Sequence, residues 1–183
     1  MPYEPPPYLA EMTLAEIAEA VRARKLPPLE TWNPQKIGES DMRIAADGTW
    51  YHEGGVIHRP AMVRAFSGLM MRDDAGQHWL VTPFEKLHIE VDDAAFIATD
   101  CMTKGSDIAF RLNTDDDVIA GPDNPIRVAG DPEVPAIYVR VRHGCEARLN
   151  RSTYSQLAEI ALATSGDDWL VTSQGAIFSL IAS

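Results

Sequence analysis

Apolar residues near the start of the chain recur with a helical period. Thr13 and Glu16 have the spacing of a capping box, in which each side chain satisfies a backbone amide at the start of a helix. The apolar positions on one face of that helix are Leu14, Ile17, Ala18 and Val21. Pro27 and Pro28 cannot continue it. The pattern therefore predicts a helix over residues 13–25, followed by a proline-rich connector.

Short strands and a second helix are predicted in the rest of the first half. Asp47-Gly48 separates two apolar stretches and is typical of a tight hairpin turn. Arg59-Pro60 is predicted to begin a helix, because proline is tolerated in the first turn. Apolar residues of that helix follow at Met62, Val63, Phe66, Leu69 and Met70. The strands predicted in this half cover residues 42–45, 49–52, 79–82 and 87–91.

The second half is predicted to contain antiparallel strands and one long helix. Polar residues over 113–117 indicate a turn, and the four prolines within 122–135 indicate a looser passage. A helix is predicted to begin near Arg151 and to end at Gly166. The strands predicted in this half cover residues 95–102, 107–112, 118–121, 137–141 and 146–149, with a further strand at 169–172.

A short repeat indicates an internal duplication. The sequence Trp-Leu-Val-Thr occurs at residues 79–82 and again at 169–172, each time after a helix and an acidic, glycine-containing turn. We interpret the chain as strand, strand, helix, strand, strand, occurring twice, so that Trp79 and Trp169 are predicted to be equivalent. Coincidence is the alternative, because amphipathic α+β segments resemble one another. The predicted halves are residues 1–91, with the N-terminal helix, and 92–183.

Composition and charge limit the classes of function. The 183 residues are 45% hydrophobic, which excludes a wholly disordered chain. Sixteen basic and 27 acidic residues give a net charge of −11, which disfavours extended nucleic acid as a partner. The charge leaves open a small anion in a local basic pocket.

The sequence also predicts a cytoplasmic protein without a membrane segment. The start of the chain has three consecutive prolines and no basic, apolar signal. Apolar runs stay shorter than the roughly 18–20 residues that a spanning helix needs. Cys101 and Cys145 are 44 residues apart and are predicted to be buried thiols, with a redox role as the minority alternative.

Motifs that carry known chemistry are missing from the sequence. The five histidines show no zinc-ligand spacing, and neither a nucleophile elbow nor a phosphate-binding P-loop occurs. We therefore predict no catalytic residue, no metal ligand and no cofactor.

Several stretches resemble the bacterial domain-of-unknown-function family 1285. They cover most of residues 40–160. The matching stretches are Asp47–His52, Arg59 with 62–64 and 66–67, 80–83 with 85–86, 91–94 with Phe96, 110–111 with 113–114, 117–118, 125–128, 139–140, 146–147 and Arg151. The resemblance implies an internally duplicated α+β fold whose second half is superficially similar to a pleckstrin-homology domain. It also implies a nucleotide-like small ligand between the halves and a role in signal transduction, without an established reaction.

Arginines are the best candidates for binding, because a guanidinium forks onto phosphate and stacks on aromatic rings. Period-two alternation places Arg140 and Arg142 on one strand face with Tyr138. Arg111 is added with Asn113 and Thr114 because this stretch resembles the family pattern. The alternative for Arg140 and Arg142 is a solvated cationic face paired with carboxylates.

The first half contributes four further candidates to the predicted anion site. They are Trp50, Tyr51, Arg59 and Lys86, of which Trp50 is alternatively a core residue. The hypothesis is thus a ligand-binding protein that is not an enzyme, with a small anion between its halves. Two other classes stay open: an enzyme acting on a phosphorylated or carboxylated molecule with Glu85 or Asp117 as general base, and a protein-protein adaptor that uses a sheet edge.

Overall fold

The computed structural model describes residues 3–182. The chain divides into two compact units, Met1–Asp93 and Ala94–Ser183. The division lies two residues beyond the one that the sequence predicts. Each unit has its own six-stranded sheet.

The first helix of unit 1, α1, covers Leu14–Arg22 and has the predicted capping box. The Thr13 hydroxyl accepts a hydrogen bond from the Glu16 amide at 3.2 Å, and Glu16 accepts one from the Thr13 amide. The helix ends earlier than predicted because Arg24 has a positive φ of 56°. Short 3-10 helices cover Pro7–Glu11 and Leu29–Thr31.

The sheet of unit 1 has the order β3-β2-β1-β6-β5-β4. Its strands are β1 (Lys36–Ile44), β2 (Trp50–His52), β3 (Gly55–Val56), β4 (Met70–Arg72), β5 (His78–Val81) and β6 (Glu85–Val91). The central pair, β1 and β6, is parallel, and the other pairs are antiparallel. Helix α2 (Pro60–Ser67) connects β3 to β4.

Alternation along β1 divides unit 1 into a core face and an open face. Ser40, Met42 and Ile44 are buried, whereas Glu39 and Arg43 are exposed. On the core side the Trp50 ring stacks on Phe66 of α2, with 6.4 Å between ring centroids. Helix α2 therefore covers the buried face of this sheet.

Two boundaries in unit 1 differ from the prediction. The second helix ends at Ser67, and Met70 begins strand β4. Gly68 follows the helix, and the Leu69 carbonyl accepts a hydrogen bond from the Val81 amide of β5. The apolar residues Leu69 and Met70 have helical spacing, but they lie after the helix, and Met70 belongs to a short strand.

The sheet of unit 2 has the order β10-β11-β12-β7-β8-β9. Its strands are β7 (Phe96–Lys104), β8 (Asp107–Leu112), β9 (Asp117–Ile119), β10 (Ile126–Asp131), β11 (Val134–Arg142) and β12 (Cys145–Leu149). The central pair of β7 and β12 is parallel and the rest are antiparallel. Strand β10 occupies the passage that its prolines predict to be a loop.

A helix and a hairpin follow the second sheet. Helix α3 (Arg151–Ser165) is capped by Asn150, whose side chain accepts a hydrogen bond from the Thr153 amide. It contacts β7 and β12 and buries Leu157 and Ala161. Strands β13 (Leu170–Ser173) and β14 (Ala176–Ser179) form a separate two-stranded sheet. None of the helices within residues 3–182 has the length and apolarity to cross a membrane.

The predicted α+β fold of repeated units with mainly antiparallel sheets is confirmed. Numbered within its own unit, each sheet has its first and last strands side by side in the centre and a three-stranded meander on either side. The proposed equivalence of Trp79 and Trp169 is wrong. Trp79 lies in β5 of a six-stranded sheet, whereas Trp169 lies just before β13 of the separate hairpin.

Candidate functional site

Two arginines and a tyrosine lie in one line across the sheet of unit 2. Arg127 of β10 is opposite Tyr138 of β11, which is opposite Arg148 of β12. We call these three residues the arginine–tyrosine row. Directly opposed residues in neighbouring strands present their side chains on the same face, so the row is a consequence of strand register.

The two guanidinium groups contact the tyrosine ring. The Arg127 Cζ lies 4.3 Å from the centroid of the Tyr138 ring, and the Arg148 Cζ lies 5.5 Å from it. An Nη1 of Arg148 also donates to the Tyr138 hydroxyl at 3.4 Å. Tyr138 is only 8% exposed, so these cation–π contacts are partly desolvated.

A buried carboxylate holds the row in place. Glu146 of β12 is 7% exposed and accepts two hydrogen bonds from Arg127, from Nε and Nη2, each at 3.0 Å. This fork fixes the plane of the guanidinium over the ring. Arg140 lies opposite Glu146 in the register, is exposed, and its guanidinium has no partner among residues 3–182.

The predicted placement of Arg142 beside Arg140 is corrected by the strand register. The pairing of β11 with β12 shifts between Arg140 and Arg142, which breaks the period of two. Arg142 lies with its Cζ 5.1 Å from the Phe96 ring and with Nη2 3.5 Å from a carboxylate oxygen of Asp116. Tyr138 and Arg140 precede the shift and keep their common face.

Arg111 is held by a carboxylate. It forms a salt bridge and hydrogen bond with Asp117, which lowers the pKa of that carboxyl and raises the pKa of the guanidinium. Lys104 also lies 3.6 Å from Asp117. A carboxyl with a lowered pKa in two ion pairs is a poor general base.

Asn113 and Thr114 both have structural partners. The Asn113 side chain accepts a hydrogen bond from the Ile97 amide at 3.0 Å. The buried Thr114 hydroxyl donates to Asp116 at 2.9 Å. These contacts hold the turn between β8 and β9.

The four candidates of the first unit do not converge on one point of its sheet. Trp50 is 2% exposed and packs in the core, as its alternative interpretation predicts. Tyr51 lies under the Arg43 guanidinium, with 5.6 Å from Cζ to the ring centroid. Arg59 is exposed at the start of α2, and the Lys86 ammonium lies 4.3 Å from the Trp79 ring.

An acidic groove of about 860 Å³ lies on the open face of unit 1. Its charged lining residues are Glu39, Asp41, Arg43, Glu53 and Glu90. Arg43 forms an ion pair with Asp92, which lowers the pKa of that carboxyl. The remaining carboxylates repel anions, so Tyr51 lines a groove of the wrong sign for the predicted ligand.

The residues of the alternative hypotheses also have structural partners. Glu85 lies 3.5 Å from the Lys36 ammonium. Cys101 and Cys145 are buried and form no disulfide, and burial raises the pKa of Cys101 to about 12. Within residues 3–182, no cluster of three or more His, Cys, Asp or Glu side chains could hold a metal ion.

Sequence reasoning left Arg127, Arg148 and Glu146 out of the candidate set. Arg127 falls in the passage predicted as a loop, so its register with Tyr138 was not foreseen. Residues 134–151 contain four arginines and one acidic residue, and this local excess of positive charge is the sequence signal for the region.

Two family models together match most of the chain. The family described as "Domain of unknown function (DUF1285), N-terminal domain" matches residues 27–94, and its C-terminal counterpart matches residues 95–180. The chain belongs to the DUF1285 family. The match of one domain to each compact unit agrees with the division of the structure.

Crystal structures of two DUF1285 family proteins are similar to this chain. The protein from Silicibacter pomeroyi DSS-3 is 40% identical, with 93% of this chain and 95% of that one covered and a TM-score of 0.78. The protein from Shewanella baltica OS155 is 19% identical, with 64% and 90% covered and a TM-score of 0.55, so its likeness concerns the fold alone. No curated protein matches the chain. The predicted cleft between the halves and the likeness to pleckstrin-homology domains stay predictions.

Proposed function

We propose that this DUF1285 protein binds a small anionic, nucleotide-like ligand at Arg140 and the arginine–tyrosine row of unit 2. The single observation that supports the proposal most is that Arg140 is a guanidinium without a described partner beside an ordered cation–π stack. The proposal includes a cytosolic location and a role in signal transduction, which the family resemblance implies. Two buried cysteines that are not joined in a disulfide are consistent with a reducing compartment.

The chemistry of the row is suited to a planar ligand with a negative group. The guanidinium of Arg127 is already oriented by Glu146, so little side-chain entropy is lost when a ring packs beside it. Arg140 can fork onto a phosphate, and each such charged hydrogen bond contributes about 1.5–3 kcal/mol. Arg111 and Arg142 are less suitable because Asp117 and Asp116 compete for them.

Calorimetric titration with ATP, AMP, adenosine and inorganic phosphate tests the proposal. We expect AMP or ATP to bind, and Arg140→Ala to weaken binding roughly tenfold to a hundredfold. Arg140→Lys keeps the charge but loses the fork, so we expect an intermediate loss.

Arg22→Ala is the matched control. It also removes one exposed arginine without a described partner, but from α1 in unit 1. If Arg22→Ala weakened binding as much as Arg140→Ala, the loss would be due to net charge alone. Equal binding of adenosine and AMP would contradict the anionic part, and turnover of a bound nucleotide would favour the enzyme alternative.

A further inference from the structure

A second cavity lies in unit 2, between the β7–β8 turn, helix α3 and the β13–β14 hairpin. It has a volume of about 470 Å³. One wall comes from the turn that joins β7 to β8, another from the last turns of α3, and the third from the β13–β14 hairpin. This size is within the range of small-molecule pockets.

The walls of this cavity are aliphatic. Ile108, Ile160, Leu170 and Ile177 provide the apolar surface. Ile108 is buried at the base, whereas Ile177 is 67% exposed at the mouth, which makes the cavity accessible from solvent.

The rim carries hydroxyl groups and no charge. Thr103, Ser106 and Thr172 line the cavity, and their hydroxyls have no hydrogen-bond partner within residues 3–182. None of the described lining residues is Asp, Glu, Lys or Arg. In a chain with 43 acidic and basic residues, an uncharged lining selects against ionic ligands, because a buried charge would find no partner.

A neighbouring cavity gives a ligand room to extend. It has a volume of about 500 Å³ and shares Thr103 and Ile160 with the first one. From there it follows α3 toward Gln156 and Glu159, and the Glu159 carboxylate is the charged group of its described lining. An elongated chain therefore fits this pair of cavities better than a compact ring.

We propose that the cavity between α3 and the β13–β14 hairpin binds an uncharged molecule with an aliphatic chain and one hydroxyl or amide group. The chain packs against Ile160 and Ile177, and the polar group exchanges hydrogen bonds with the rim hydroxyls. This cavity shares no lining residue with the arginine–tyrosine row, so a test of this proposal is independent of a test of the proposed function.

A series of n-alkanols from hexanol to dodecanol tests the site, with binding followed by NMR chemical shifts of the α3 amides. Each added methylene is expected to tighten binding about fourfold until the chain fills the cavity. Alkanoates of the same length are expected to bind at least tenfold more weakly, because no cation meets their carboxylate.

Two variants locate the site, and a third is the control. Ile160→Phe fills the cavity, and Ile177→Glu places a charge at its exposed mouth; each is expected to weaken decanol binding at least tenfold. Ile177→Glu changes a solvent-exposed side chain and should fold normally. Leu162→Phe enlarges an exposed residue of α3 that does not line the cavity, and it should leave binding unchanged.

Three results would overturn the proposal. One is the lack of saturable binding by any alkanol. Another is an equal effect of Leu162→Phe and Ile160→Phe. The third is a dimer in sedimentation velocity that Ile177→Glu dissociates, since a second copy would then cover Ile177.

Discussion

The sheets of the two units have the same strand order but irregularities of different kinds in their first strands. In unit 1, residues 40–42 of β1 lie opposite a single residue of β6, and Asp41 has a left-handed φ of 57°. In unit 2, β7 shifts its register against β8 between Ala98 and Asp100, with no left-handed residue in β7. The sheet is therefore the repeated element, and the local distortions belong to each unit.

The two irregularities are also filled in different ways. In β1 the Ser40 hydroxyl donates to the His88 carbonyl at 2.7 Å and accepts from the Met42 amide at 3.1 Å. In β7 the Gln156 amide, from α3, donates to Asp100 at 2.7 Å and accepts from the Cys101 amide at 3.0 Å. In unit 2 a helix that follows the last strand of the six-stranded sheet supports β7 from outside, whereas β1 depends on its own side chain.

The largest expected effect concerns the core beneath each second strand. Trp50 of β2 and Phe110 of β8 are both almost fully buried. Each alanine variant should lose about 3–5 kcal/mol of unfolding free energy, because the cavity cannot collapse completely. Urea denaturation measures it. A loss below about 1 kcal/mol in either variant would show that its unit is not packed around that ring.

The two residues that support the irregular strands should differ in importance. Ser40→Ala removes the hydroxyl that bonds a half-buried His88 carbonyl and the buried Met42 amide, and it should cost about 1–3 kcal/mol. Gln156→Ala should cost less, about 0.5–1.5 kcal/mol, because the Cys101 amide still donates to Asp100. The same urea series measures both. The reverse order would mean that support from α3 matters more than the internal hydroxyl.

Replacing Asp41, which has a left-handed φ, by glycine should stabilise unit 1 slightly. Asp41→Gly is expected to raise the unfolding free energy by about 0.5–1 kcal/mol, since glycine adopts a positive φ without a steric penalty. Glu39→Gly is the control in the same strand, without a positive φ, and should destabilise by a similar amount. If Asp41→Gly instead destabilises the protein, the aspartate side chain has a role in the acidic groove.

The smallest effect concerns acid stability. The folded-state pKa values of Asp92 and Asp117 are lowered by Arg43 and Arg111, so their contribution is complete above the ordinary value of 3.8. It is lost as the pH falls below 3.8 through the lowered pKa values. Melting temperatures at pH 7 and pH 3 should therefore differ less in Asp92→Asn and Asp117→Asn than in the natural sequence. Asp117→Asn should show the larger change because Lys104 also pairs with it.

Local chemistry made most elements predictable from the sequence. The capping box of α1, the Asp47-Gly48 turn and the strand over 107–112 depend on nearby residues, and the structure contains them. Strand β10, which the sequence pattern did not predict, shows the limit of prediction from local sequence. Pro122 and Pro125 precede the strand, Pro132 lies in the turn after it, and Pro135 is the second residue of β11. None of the four prolines lies within β10, so they mark its ends and not a loop.

The candidate site was harder to predict because it depends on register. Arg127 and Tyr138 are eleven residues apart in sequence, and only the pairing of β10 with β11 brings them together. The shift before Arg142 likewise depends on the partner strand, since period-two alternation contains no sign of it. The repeated Trp-Leu-Val-Thr gave a wrong alignment of the two halves. What the two sheets share is their strand order, and a match of four residues carries no information about strand order.

The central parallel pair of each sheet has a consequence for the speed of folding. Each three-stranded meander closes through contacts between neighbouring segments, but the first strand meets the last across almost the whole unit, as in the bond between Ser40 and His88, 48 residues apart. Long-range pairing of this kind slows folding because the loop entropy is lost before the contacts form. In both units the meanders should therefore form early, and the rate should be set by the step that joins them.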